Sequence, residues 1–128
     1  MLVDLAMHRD DDVVRLGDIS RRQQIPPKFL EQIVLVLKRA GIVGSRRGPK
    51  GGYFLMESPS RVTLASVLRL TEGNGWEAAA QGEPGDPFEE VWQRISRYTR
   101  EVLEQTTLKD MEERMVAMAV DHPREYVI

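Results

Sequence analysis

Between Pro27 and Ala40, apolar residues recur at spacings of three and four: Leu30, Ile33, Val34, Leu37 and Ala40 fall on one stripe, and Lys28, Glu31, Gln32, Lys38 and Arg39 fall outside it. The pattern predicts a helix with one face on a core and a polar, free first turn. Pro26-Pro27 suits that first turn, where a missing N–H costs nothing, and Gly41 stands where a helix stop is expected. Beyond Gly41 the period changes. Ile42 to Arg47 and Gly52 to Met56 are short β-prone runs around Gly48-Pro49-Lys50-Gly51, which predicts a hairpin with a glycine-rich tip.

The remaining chain reads as support. Leu2, Leu5 and Ala6 have helical spacing, but two turns are too short to be stable alone and must lean on another element. Arg9 to Asp12 is a charged loop, and Val13 to Leu16 is briefly extended. A helix near Gly17 to Gln23 directs Ile19 inward and Arg21 and Arg22 outward, and the turn Gln24-Ile25-Pro26 joins it to the next helix as a helix-turn-helix. Thr63 caps a helix carrying Leu64, Val67, Leu68 and Thr71 that closes at Gly73. Residues 74–87 hold Gly82, Pro84, Gly85 and Pro87 and read as a mobile loop, with Trp76 tucked against a neighbour. Phe88, Val91, Trp92, Ile95, Thr99, Val102 and Leu103 then form a stripe too long for one small domain to cover, which points to a subunit interface. Thr107 with Asp110 reads as a capping box for a helix over 108–119, where Met111, Met115 and Met118 are core filler, and the tail from Asp121 is unassigned. The expected fold is mainly α: a winged helix-turn-helix over 1–73 with a two-stranded wing, a loop over 74–87, and a long dimerisation helix with its C-terminal segment over 88–128.

Composition narrows the function. The 128 residues include no cysteine, which removes disulfides, thiolate metal sites and thiol catalysis. No apolar run reaches the length of a membrane span and no signal peptide opens the chain, so the expected location is the cytoplasm. The net charge of −2 hides an asymmetry. From Arg15 to Met56 nine Lys and Arg oppose Asp18 and Glu31, giving +7, whereas residues 57–128 hold eight basic and fourteen acidic residues, giving −6.

Arg46, Arg47 and Lys50 crowd the hairpin tip, and three positive charges on a thin loop repel one another unless an anion sits between them. A DNA backbone phosphate is the obvious anion. Alone, an amphipathic helix is usually core packing and a basic hairpin is usually a solvated edge that discourages aggregation. Side by side, helix, turn, helix and basic hairpin form the combination that DNA-binding motifs share.

The runs Leu30-Glu31-Gln32, Leu37 to Val43 and Ser45 to Tyr53, with Ile19-Ser20 upstream and Thr63-Leu64 downstream, resemble the Rrf-type winged-helix regulators of bacteria. These include the iron-sulphur cluster regulator, the nitric-oxide-sensing repressor and the cysteine-metabolism repressor. Trp92 and Thr107 to Asp110 resemble that family's dimerisation helix and its sequel, and the Arg-Gly-Pro-x-Gly-Gly-Tyr wing is the most specific part of the match. The resemblance implies a homodimeric transcription regulator on a palindromic operator, with double-stranded DNA and a second copy of the chain as partners. It places Lys28, Phe29, Glu31 and Gln32 at recognition-helix contacts and Arg47 at the wing arginine that enters the minor groove. Glutamate can accept from cytosine N4, glutamine can pair with adenine, and a narrow A·T-rich minor groove attracts arginine. Arg46, Lys50 and the backbone N–H groups of the tip glycines, Gly51 among them, would hold phosphates and set register.

Two departures qualify the resemblance. Cluster-sensing relatives use cysteines in the loop corresponding to 74–87, and some use a histidine where this chain has Glu89; none of those ligands is present, so no cofactor or metal is expected. The family's first helix usually starts earlier, which a late start codon or a genuine truncation would explain. An enzyme is a weak alternative, since His8 and His122 lack ligand spacing and Gly48 to Gly51 lacks the Gly-Lys-Ser/Thr ending of a phosphate loop. The stronger alternative is a winged helix that binds protein and has no operator.

Overall fold

The structure, a computed structural model, describes residues 1–73, 75 and 84–121, the side chains of Val120 and Asp121 excepted. Trp76, most of the loop expected over 74–87, His122 and the tail beyond Asp121 lie outside the described residues. In chain order the elements are α1 (Leu2–Met7), α2 (Leu16–Gln23), α3 (Pro27–Arg39), β1 (Val43–Arg46), β2 (Gly52–Leu55), a 3-10 turn (Pro59–Arg61), α4 (Leu64–Glu72), α5 (Glu89–Gln105) and α6 (Leu108–Asp121). They group into two compact units, Met1–Val62 with Thr107–Ile128, and Thr63–Thr106.

The first unit is a winged helix-turn-helix. Leu30, Val34 and Leu37 of α3 are buried with Ile19 of α2, Leu5 and Ala6 of α1, Val14, Ile42, Val43 and Val62. Ile33 is only half-buried and Ala40 is exposed, which corrects the stripe at its end: Ala40 is the cap residue, still right-handed at φ −78°, and the backbone turns away at Gly41. The Gly41 N–H donates to the Lys38 carbonyl at 3.0 Å and Ile42 N–H to Leu37 at 3.1 Å, with Gly41 at φ +76°. That pairing is a Schellman stop, and the buried Leu37 and Ile42 supply its hydrophobic contact. At the α2–α3 turn the left-handed residue is not glycine but Gln24, at φ 53°, and the Ser20 hydroxyl donates to the Ile25 carbonyl at 2.6 Å.

β1 and β2 pair antiparallel with Val43 opposite Leu55 and Arg46 opposite Gly52. A third strand segment joins them. Val14 and Tyr53 exchange both backbone hydrogen bonds at 2.8 Å, so the extended run before α2 lies on the free edge of β2. Gly52 fits this close approach, since a Cβ there would stand 2.7 Å from the Val14 carbonyl oxygen.

The short α1 leans on the C-terminal helix α6 and on β2, the support its length required. Leu108, at the start of α6, is buried and donates its N–H to the Val62 carbonyl at 2.8 Å. The box that starts α6 is reciprocal: Thr107 N–H donates to the Asp110 carboxylate at 2.8 Å and Asp110 N–H to the Thr107 hydroxyl at 3.2 Å. A buried polar cluster locks α1 to α2. The Asp4 side chain, fully enclosed, accepts from Arg22 Nη2 at 2.6 Å, Arg22 Nε at 3.0 Å and Gln23 Nε2 at 3.0 Å. Burial pushes the Asp4 carboxyl up, but the hydrogen bonds from Arg22 and Gln23 and the charges of Arg22 and His8 outweigh it and hold the group below its ordinary value. Arg22, expected to face outward, is therefore turned in.

In the second unit α4 packs against α5. Thr63 caps α4 as expected, accepting from the Ser66 N–H at 3.1 Å, and Gly73 at φ 68° ends it. No residue of α5 is buried.

Candidate nucleic-acid interface

The start of α3 presents a set of side chains that nothing in the fold uses. Lys28, Phe29, Glu31 and Gln32 are all exposed, and Phe29, at 57%, leaves a large aromatic ring in water where ordinary packing would bury it. Pro26 and Pro27 set this turn, and the helix dipole together with the Lys28 ammonium favours an anion nearby.

The wing tip runs from Arg47 to Gly51 and closes through a Gly51 N–H to Gly48 carbonyl bond of 2.9 Å. Gly51 is sterically required: a Cβ would fall 2.2 Å from the Arg46 carbonyl oxygen and 2.9 Å from the Gly48 carbonyl oxygen, both rigid backbone atoms. At the wing base, a Cβ on Gly44 would meet the Phe54 ring at 2.6 Å. Arg47 and Lys50 are exposed and make no ion pair with any described residue.

Arg46 differs from both. It is exposed at the end of β1, yet its Nη1 is ion-paired with the Asp12 carboxylate. An anion was expected among the tip charges, and one of them already has an internal anion. Arg15 was not anticipated at the site; its guanidinium donates to the Pro49 carbonyl and ties the tip to the strand segment before α2. The acidic loop therefore belongs to the same surface as the wing. Counted from Arg9 to Met56, ten basic residues oppose five acidic ones, and the head carries +5 rather than +7. The extended character of Val13 to Leu16 was a signal of this, but its partner strand lies nearly forty residues away and local pattern does not name it.

On the second unit, α5 exposes Phe88 at its cap, Val91, Trp92, Ile95, Thr99 and Val102. Tyr98 adds to this face at 71% exposure, and Val91, Arg94, Ile95, Tyr98 and Thr99 line a shallow groove along it. Among the described residues no element covers this apolar face, and a large exposed apolar face of this kind marks an interaction surface.

Comparison with known proteins places these features. The family model described as Rrf2, iron-dependent transcriptional regulator, matches residues 1–114. The HTH-type transcriptional regulator CymR of Bacillus subtilis is 34% identical over 113 residues, 87% of this chain and 80% of that protein. The solved structure of CymR, the global cysteine regulator of B. subtilis, superposes with a TM-score of 0.78 at 31% identity, covering 88% of each chain. IscR of T. potens gives a TM-score of 0.74 at 33% identity over 88% of this chain and 78% of that one. The iron in the family description does not fit a cysteine-ligated site in this chain, whose sequence has no thiolate donor; among the described residues, no group of three His, Cys, Asp or Glu is placed to hold a metal ion. No described helix is long and apolar enough to cross a membrane.

Proposed function

The chain belongs to the Rrf2 family of transcriptional regulators, and from that premise we propose that it acts as a homodimer in the cytoplasm, reading a palindromic operator with two copies of α3 and two wings. The observation that carries this reading is the unspent recognition face of α3, with Phe29 standing in water, in one compact unit with a wing whose Arg47 and Lys50 have no counter-ion among the described residues. Within 1–73, Glu31 and Gln32 read base edges in the major groove, accepting from cytosine and pairing with adenine, and Phe29 meets thymine methyl groups. Lys28 and Lys50 hold phosphates, with the Gly51 N–H region backing the tip, and Arg47 enters the minor groove. The 88–128 segment pairs the two copies through the exposed face of α5, which fixes the spacing of the half-sites. Iron-sulphur sensing is no part of the proposal, because the ligands are missing.

Binding-site selection on wild type and single variants at one fixed salt concentration tests these roles. Glu31→Ala relaxes preference at one or two base pairs, by about 1–3 kcal/mol, because a base edge loses its partner. Lys50→Ala weakens all sequences alike and flattens the salt dependence by about 0.9 in the log–log slope. Arg47→Ala costs most on operators with A·T-rich flanks. A selected motif that survives Glu31→Ala and is rewritten by Lys50→Ala would reverse the assignment of helix and wing. A wild type that selects no motif, and binds duplex weakly at any salt, would make the chain a protein-binding module instead.

A further inference from the structure

Of the wing cations, only Arg46 carries a carboxylate partner among the described residues, and that partner comes from outside the wing. Its delivery is built into the fold. The Asp11 N–H donates to the His8 carbonyl at 3.0 Å, turning the loop back after α1; two residues beyond Asp12, Val14 is bonded to Tyr53 on both sides at 2.8 Å, and Arg15 holds the Pro49 carbonyl. Asp12 is thus fixed at both flanks, at the end of the acidic run Asp10 to Asp12, with its carboxylate on the guanidinium that stands at the edge of the tip. Both side chains are open to solvent, at 54% and 74%, so an incoming anion can reach the guanidinium without any backbone movement.

We propose that Asp12 is an internal competitor of the DNA backbone for Arg46: the carboxylate occupies the place of a phosphate in the free protein and is exchanged for one on the duplex. The inference rests on the DNA-binding reading above. An exposed pair of this kind is weak, so the exchange is permitted; it is also not free, so the carboxylate lowers affinity for every sequence alike. The exchange has a signature in salt dependence. Arg46 meeting a phosphate releases a counterion from the DNA, while the Asp12 pair that must break is itself weakened by salt, so the wild-type slope is shallower than an unpaired arginine would give.

The test is a two-by-two cycle of Asp12→Asn and Arg46→Ala, read by fluorescence anisotropy on a labelled random-sequence duplex across a potassium chloride series, with a thermal melt of each variant. Asp12→Asn tightens binding roughly two- to fivefold and steepens the log–log salt slope by up to about 0.9, since the phosphate contact now stands without an offsetting carboxylate. Arg46→Ala flattens the slope by less than about 0.9, the value of an unopposed contact. In the Arg46→Ala background, Asp12→Asn no longer steepens it, and melting temperatures stay together throughout because the pair is exposed. A slope that steepens equally with and without Arg46 would make Asp12 a general repulsive charge and overturn the exchange, as would an Asp12→Asn variant indistinguishable from wild type. Wild-type binding that is absent or indifferent to salt would sink the DNA reading itself, and the exchange with it; salt-sensitive wild-type binding without the Arg46-dependent change sinks the exchange alone.

Discussion

Asp4→Asn removes one charge from the enclosed cluster that joins α1 to α2 while keeping its shape, and the structure sets the size of the loss. The carboxylate receives three donors at 2.6 to 3.0 Å, two from Arg22 and one from Gln23, and its side chain has no solvent exposure. An asparagine amide can accept through one oxygen only, and its NH2 group turns a donor toward the Arg22 or Gln23 donors. Leaving a buried pair half-made costs about 3–5 kcal/mol. The Arg22 side chain retains 20% exposure and can rehydrate in part, which brings the expectation to about 2–3 kcal/mol, on the order of 6–9 °C in melting temperature for a chain of this size. The sign of the pH dependence follows from the direction of the shift. Because the folded Asp4 carboxyl is held below its ordinary value of 3.8, its contribution is fully present above that value and is lost as the pH falls through the folded pKa. Urea unfolding followed by circular dichroism, at neutral pH and again below 3.8, therefore shows a wide gap between wild type and Asp4→Asn that narrows in acid. A neutral-pH gap under about 0.5 kcal/mol, the range of an ordinary surface substitution, would refute the account, and so would a gap that acid leaves unchanged.

Ile95→Asp places a charge in the middle of the exposed α5 face, and sedimentation velocity should move from dimer to monomer; an unaltered dimer, or a monomeric wild type at micromolar concentration, rejects that face as the interface. Gly51→Ala drives a Cβ into the Arg46 and Gly48 carbonyl oxygens, which must open the tip at a cost of about 1–3 kcal/mol; duplex binding equal to wild type would show that tip geometry does not matter.

What could be read without coordinates was whatever is written locally. The Schellman stop at Gly41, the Thr63 cap, the Thr107 and Asp110 box and the hairpin from Val43 to Leu55 each rest on residues within a few positions of one another, so spacing alone located them. The exposed polar face of α3 was legible for the same reason, since a helix that buries Leu30, Val34 and Leu37 must expose Lys28, Glu31 and Gln32. Arg22 was misjudged because the carboxylate that turns it inward is eighteen residues upstream, on a different helix. The pairing of Asp12 with Arg46 spans thirty-four residues, and no periodicity carries that information. Ala40 had the right spacing for the stripe but stands at the C-cap, one residue past the helix end at Arg39, and is exposed. Tyr98 was passed over because its neighbours Ile95, Thr99 and Val102 completed the stripe without it.

The return of α6 to α1 bears on how the protein is made. Leu108 and its helix close the side of the first unit on which Leu5 and Ala6 lie, so the part of the chain that holds α3 and the wing is sealed by residues made about fifty positions after it. During synthesis, at about 5–20 residues per second, the recognition helix and hairpin can form early from local contacts but wait several seconds for the segment that completes their core. A nascent chain stalled before residue 107 therefore carries the parts that face a duplex on an unfinished scaffold. On the DNA-binding reading proposed above, competence to engage a duplex waits for α6 to emerge and dock.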